Sequence, residues 1–186
     1  YDAVGLGAFG RAGNYFERQI ARWSRQAAAS TLPVPPALQH LMAWLPDHVP
    51  AGDDETTLVH GDFRLDNMVL HPTEPRIIGV LDWELSTLGH PLADFAYHAM
   101  SWRIPPRLWR GIGGVDLTAM GIPNEDEYVR RYASRTGRNP EAHWNFYLAF
   151  NLFRMAAILH GIAQRAHEGT ATAHDAIETS RKAGPL

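Results

Sequence analysis

Apolar residues recur every three or four positions over residues 14–29: Phe16, Ile20, Trp23 and Ala27 share one side of a helix. Asn14 stands before them as a fair N-cap. "TLPVPP" ends this helix. A second, short helix is predicted over 37–45, with Leu38, Leu41, Met42 and Leu45 on one side. The period then changes. "TTLVH" reads as a short strand, "NMVLHP" as a second strand ended by Pro72, and "PRIIGVLDWE" as a third with the β-rich core "IIGVL". The last two predict a hairpin-like pair enclosing residues 68–82. The polar turn "HGDFRLDN", residues 60–67, precedes that pair.

Helical periodicity returns in "HPLADFAYHAM", where Pro91 takes the first helical position and Leu92, Phe95, Ala96 and Ala99 share a face. "RIPPRLWRGIGGVDL" is rich in Pro and Gly and predicts a loop. "NEDEYVRRYASRTG" predicts a helix with acids in its first turn and arginines later, as the helix dipole favours; Gly137 ends it. A long helix over about 141–167 is apolar nearly all round, which places it at the centre of the fold. The tail from Gly169 reads as one further helix. The fold class is α+β, mostly α, with a small β element near the middle that carries the polar residues.

Composition narrows the function. The chain has 186 residues, 45% hydrophobic and 20% charged, as in a globular protein. A net charge of −3 leaves no basic field for nucleic acid. The absence of cysteine removes thiol catalysis, disulfides and thiolate metal sites, and suits a cytoplasmic location. No signal peptide is visible. Asn145, Asn151 and Arg154 within the most apolar stretch favour a buried helix over a membrane span. Polar chemistry concentrates at three positions. Asp62 and Asn67 bracket one tight turn, and Asp82 ends the strand that pairs back toward it. A carboxylate and an amide oxygen brought together suit Mg²⁺. A second carboxylate, free of metal, suits orientation of a hydroxyl nucleophile. Taken singly, Asp62 also reads as a turn or cap residue and Asp82 as an N-cap.

"HGDFRLDN" resembles the H-G-D-x-x-x-x-N catalytic loop of the aminoglycoside phosphotransferase-like kinases. "VLDWE" resembles their metal-binding Asp segment, and "GHPLADFAYHAMSW" resembles the segment after it. The match is nearest to kinase-like domains that also occur fused to acyl-CoA dehydrogenases. It is dense from Tyr1 to Trp102 and looser beyond. The resemblance implies the C-terminal lobe of a small-molecule kinase as one unit over 1–186, with the catalytic motifs in 1–102 and a helical, substrate-side part in 103–186. Asp62 would be the base, Asn67 and Asp82 the Mg²⁺ ligands, and His60 and Asp94 structural supports. Arg64 and Glu84 fall in the vicinity of substrate or metal. His90 departs from the family, where Asp is usual. The partners implied are ATP or GTP with Mg²⁺ and a small-molecule hydroxyl substrate.

"GLGAFG", residues 5–10, fits a glycine-rich phosphate loop only superficially. A helix follows it rather than a strand, and the chain's sole lysine is Lys182. The expectation is therefore that the N-terminal lobe, with its phosphate-covering loop and lysine, is absent from these residues. The 186 residues alone are then inactive, and the bared lobe interface favours a homodimer. From Asp116 onward acids and bases balance, which gives a polycationic aminoglycoside no support. Two rival readings are a non-catalytic kinase-like binding module and a metal-dependent hydrolase using His60, Asp62, Asp82 and His90, which needs imidazole at a transition metal.

Overall fold

The computed structural model describes residues 1–52 and 54–170. The helical pattern is realised as α1 (Tyr15–Ala28), α2 (Pro36–Trp44), α3 (Pro91–Ala99), α4 (Glu125–Thr136) and α5 (Trp144–His167). The predicted tail helix lies outside the described residues. Helices α1, α2 and α3 all pack on α5. Phe16 of α1 sets its ring edge-on to Phe150 of α5, with centroids 4.9 Å apart, as aromatic quadrupoles prefer. Phe95 of α3 stacks on Tyr132 of α4 at 3.8 Å. Helix α5 with its preceding turn is long and apolar enough to pass a membrane-span test, but two-thirds of that window, 67%, is buried inside the fold.

The capping expectations divide. Pro91 opens α3 and Gly137 closes α4 at φ 73°, where a side chain would be strained. Asn124 caps α4 by accepting from the Glu127 N–H. Asn14 does not cap α1 with its side chain. It adopts a left-handed backbone at φ 48°, and its own N–H donates to Asp54 at 2.7 Å. The glycine-rich "GLGAFG" forms no strand pair; it follows a short 3-10 turn at Asp2–Val4.

The β residues form two ribbons rather than one. Strand β2 (Met68–Leu70) pairs antiparallel with β3 (Ile77–Val80), as the hairpin pattern predicts. Strand β1 (Thr57–Val59) pairs antiparallel with β4 (Thr87–Gly89), with Val59 opposite Thr87. The pattern of apolar positions did not announce β4, because "TLG" is short and reads as turn chemistry. The β1–β4 pairing sets the site. It clamps the two ends of residues 60–86, so the polar turn after β1 and the Asp82 turn before β4 emerge side by side. Gly89 cannot carry a side chain here, since an added Cβ would lie 2.6 Å from the Tyr15 ring.

The hairpin and the turn beyond it leave Leu70, Ile77, Ile78, Leu81, Trp83 and Leu85 exposed. Exposed apolar residues gathered on one hairpin and its turn favour association. The isolated chain is expected to bind an apolar-surface dye and to show a mass above the monomer by light scattering. A monomer at high concentration with no dye signal would contradict this.

Candidate active site

The catalytic-type loop is held by long-range bonds from α3 and α5. Asp94 on α3 accepts the His60 N–H through Oδ2 and the Gly61 N–H through Oδ1, the latter at 2.9 Å. Arg154 on α5 donates to the Gly61 carbonyl. Gly61 sits at φ 84°, and a Cβ there would lie 2.5 Å from the Leu85 carbonyl oxygen, so this turn requires glycine. The His60 ring donates from Nε2 to the Leu81 carbonyl at 2.8 Å and accepts at Nδ1 from the Asp62 N–H at 3.2 Å. That pattern is the neutral tautomer protonated on Nε2. Both nitrogens are committed to bracing the loop against the Asp82 turn. Burial pushes the Asp94 carboxyl up, and the two N–H donors, with the Arg154 charge, recover only part of that penalty.

Asp62 is half-buried beneath three donors. Its Oδ1 accepts from the Tyr97 hydroxyl at 2.7 Å, and its Oδ2 from Arg64 Nε at 3.1 Å and Asn67 Nδ2 at 3.0 Å. Burial alone would raise this carboxyl. The Tyr97 hydrogen bond, the Arg64 charge and the Asn67 amide together outweigh it and hold the group below its ordinary value of 3.8. Asp62 is therefore an ionised carboxylate at neutral pH.

Asn67 turns its amide nitrogen to Asp62, donating also to the Asp62 backbone carbonyl at 2.9 Å, so its Oδ1 faces the other way. The Asn67 carbonyl accepts the Leu81 N–H at 2.8 Å, which ties this residue to the neighbour of Asp82. Asp82 is exposed, and among the described residues its carboxylate takes no hydrogen bond or ion pair. Its backbone lies at φ 64°, and among the described non-glycine residues only Asn14 shares that region. Such strain persists where surrounding structure enforces it, here a turn that presents the carboxylate to solvent. The donor set is thus two unpaired hard oxygens, from Asn67 and Asp82. It fits Mg²⁺, which is commonly held by one or two protein oxygens together with nucleotide phosphates.

The other expected residues fall as follows. Arg64 bridges Asp62 and Asp66, with NH1 3.3 Å from the Asp66 carboxylate. Glu84 is exposed in the 3-10 turn Trp83–Leu85. His90 is buried against the Phe16 and Tyr147 rings and caps α3 by accepting the Leu92 N–H at 3.3 Å. This overturns the hydrolase alternative. The imidazoles of His60 and His90 serve as a brace and a cap. Among the described residues no group of three His, Asp or Glu is placed to hold a metal.

A cavity of about 360 Å³ is lined by two of the residues that bond Asp62, Arg64 and Tyr97. Tyr97 and Arg64 form the wall next to the carboxylate. Trp102, Trp109, Ile104 and Ile122 make the far side largely apolar. Burial holds the His98 imidazole below its usual range, so this wall is neutral at physiological pH. Two residues here were not singled out by sequence reasoning, Tyr97 and Arg154. Arg154 did leave a signal, because a charge inside an otherwise apolar helix demands a partner.

The sequence profile described as the phosphotransferase enzyme family (APH) matches residues 1–142. A crystal structure from Ralstonia eutropha JMP134, named provisionally an aminoglycoside phosphotransferase, superposes with a TM-score of 0.95. It is 54% identical and covers 100% of this chain and 56% of its own. The mouse acyl-CoA dehydrogenase family member 10 is 44% identical over 181 residues, and the rat family member 11 is 39% identical over 188. The chain spans 17% of the first and 24% of the second, while 96% and 99% of the chain is matched. With the family profile over most of its length, and with the fold shared along all of it, the chain belongs to the phosphotransferase enzyme family and has its kinase-like fold.

Proposed function

We propose that these residues form the C-terminal lobe of a small-molecule kinase, which moves the γ-phosphoryl of ATP or GTP to a substrate hydroxyl. The observation that carries this reading is the division of oxygens between Asp62 and the Asn67–Asp82 pair. Asp62 is ionised and screened from metal by three donors, as a base for a hydroxyl proton must be. Asn67 Oδ1 and Asp82 would hold Mg²⁺, which would supply neutralisation of charge on the nucleotide phosphates. Asp94, His60 and Arg154 fix the loop so that these groups keep their separation. The acceptor occupies the cavity beside Tyr97. Its apolar wall suits a substrate with an apolar body. Arg64 and Arg110 share the Asp66 carboxylate at its edge, which disfavours a polycation such as an aminoglycoside.

The test uses the full-length protein with γ-labelled ATP and Mg²⁺. Metal-dependent loss of the γ-phosphoryl, abolished in Asp62→Asn, is expected. The 186 residues alone are expected to leave ATP intact, because their single lysine, Lys182, is more than a hundred residues from the catalytic loop and, among the described residues, no glycine-rich strand pair precedes that loop. Label transfer by the isolated chain, or its absence from the full-length protein under all acceptors and both nucleotides, contradicts the reading.

A further inference from the structure

This inference rests on the phosphotransfer reading and concerns the oxygen of Asp62 that meets the acceptor. A carboxylate has about four lone-pair sites, two on each oxygen. Oδ2 uses both, on Arg64 and Asn67. Oδ1 uses one, on the Tyr97 hydroxyl. One acceptor site is left, on Oδ1, the oxygen bonded to Tyr97, and Tyr97 is a lining residue of the cavity. The carboxylate torsion of an Asp is broad and two-fold, so a fixed rotation needs a tether on each oxygen, and on Oδ1 that tether is the Tyr97 hydroxyl. The tether is itself held. The Arg154 guanidinium lies 5.2 Å from the centre of the Tyr97 ring while it donates to the Gly61 carbonyl. The phenol and the loop that bears Asp62 are therefore fixed by one side chain.

We infer that Tyr97 is a positioning residue, whose hydroxyl sets the rotation of the Asp62 carboxylate and directs the open lone pair of Oδ1 toward the acceptor hydroxyl in the cavity. In the step so arranged, the acceptor O–H proton passes to Oδ1 and the acceptor oxygen bonds to the γ-phosphorus. The bond from that phosphorus to the β–γ bridging oxygen breaks, and the nucleoside diphosphate leaves with its electron pair. Burial, with the Asp62 charge, pushes the Tyr97 phenol far above its usual range, so it remains a donor throughout. A plain packing role for Tyr97 makes a different demand, since phenylalanine would fill the same space.

The experiment is a two-residue cycle in the full-length protein, with Mg-ATP as donor and water as the probe acceptor. Tyr97→Phe is expected to lower kcat roughly tenfold or more while KM for Mg-ATP and the melting temperature stay near wild type. In an Asp62→Ala background the same change is expected to cost nothing further, because its effect runs through that carboxylate. An unchanged kcat, or an equal loss with and without Asp62, overturns the proposal. A second readout needs no turnover and serves if the variant folds poorly. The wild type should show a hydroxyl proton resonance shielded from exchange that shifts in Asp62→Asn, and its absence also overturns the proposal. A wild type that shows this resonance but releases no phosphate overturns the phosphotransfer reading, and the role of Tyr97 with it.

Discussion

Replacing Asp62 by Ala in the full-length protein is expected to lower turnover by roughly 10²–10⁴, the range a positioned acid or base supplies, and to leave Mg-ATP affinity almost unchanged. The reason is where the carboxylate points. Tyr97, Arg64 and Asn67 occupy three of its acceptor positions, and the proposed clamp draws its metal oxygens from Asn67 and Asp82 instead. The pH profile follows from the same contacts. With the folded Asp62 value held below 3.8, the carboxylate is ionised at that pH and above. Its contribution to rate, and to stability, is lost only as pH falls through the depressed value. Any titration of turnover near neutrality therefore belongs to another group. Steady-state kinetics of wild type and Asp62→Ala across pH check both statements. Turnover within a few-fold of wild type would remove Asp62 from the mechanism.

Asp94→Ala is expected to destabilise the fold by about 2–4 kcal/mol, as loss of one partner in a buried network does. Two loop N–H groups, of His60 and Gly61, lose their acceptor, and Arg154 loses a nearby counter-charge. Turnover is expected to fall as well, since the loop backbone then loses its acceptor on α3 and only the Tyr97 hydroxyl still ties the loop to that helix. The sign with pH is specific. Burial raises the folded Asp94 value, so its contribution is greatest below the ordinary value of 3.8 and declines as pH rises through the raised one. The gap between wild type and Asp94→Ala should widen as pH falls. Thermal melts over a pH series measure it. A gap independent of pH would mean that Asp94 is not held as a buried carboxylate.

How much of this was legible in the sequence differs by element. Helices α1, α3 and α4 follow from apolar spacing and from Pro91 and Gly137, because those signals are local. The β2–β3 hairpin follows for the same reason. The β1–β4 ribbon did not, although it brings Asp62 and Asp82 together, because the pairing joins residues thirty apart and β4 has three residues. Asp62, Asn67 and Asp82 were visible as a resemblance to a known loop, and His60 and Asp94 as its supports. The contacts that explain them were not. Arg154 meets Gly61 across 93 residues, and Tyr97 meets Asp62 across 35. Asn14 shows the converse limit: its type suggested a side-chain cap, and Asp54, forty residues on, took its backbone N–H instead.

The central claim is the division between a base and a metal clamp, and a titration of Mg-ATP into full-length wild type, Asp62→Ala and Asp82→Ala tests it most directly. In the proposed clamp Asp82 supplies the charged oxygen, so Asp82→Ala should weaken binding markedly, with partial recovery in excess Mg²⁺ by mass action. Asp62→Ala should bind as wild type does. Lost binding in Asp62→Ala with intact binding in Asp82→Ala would contradict the account.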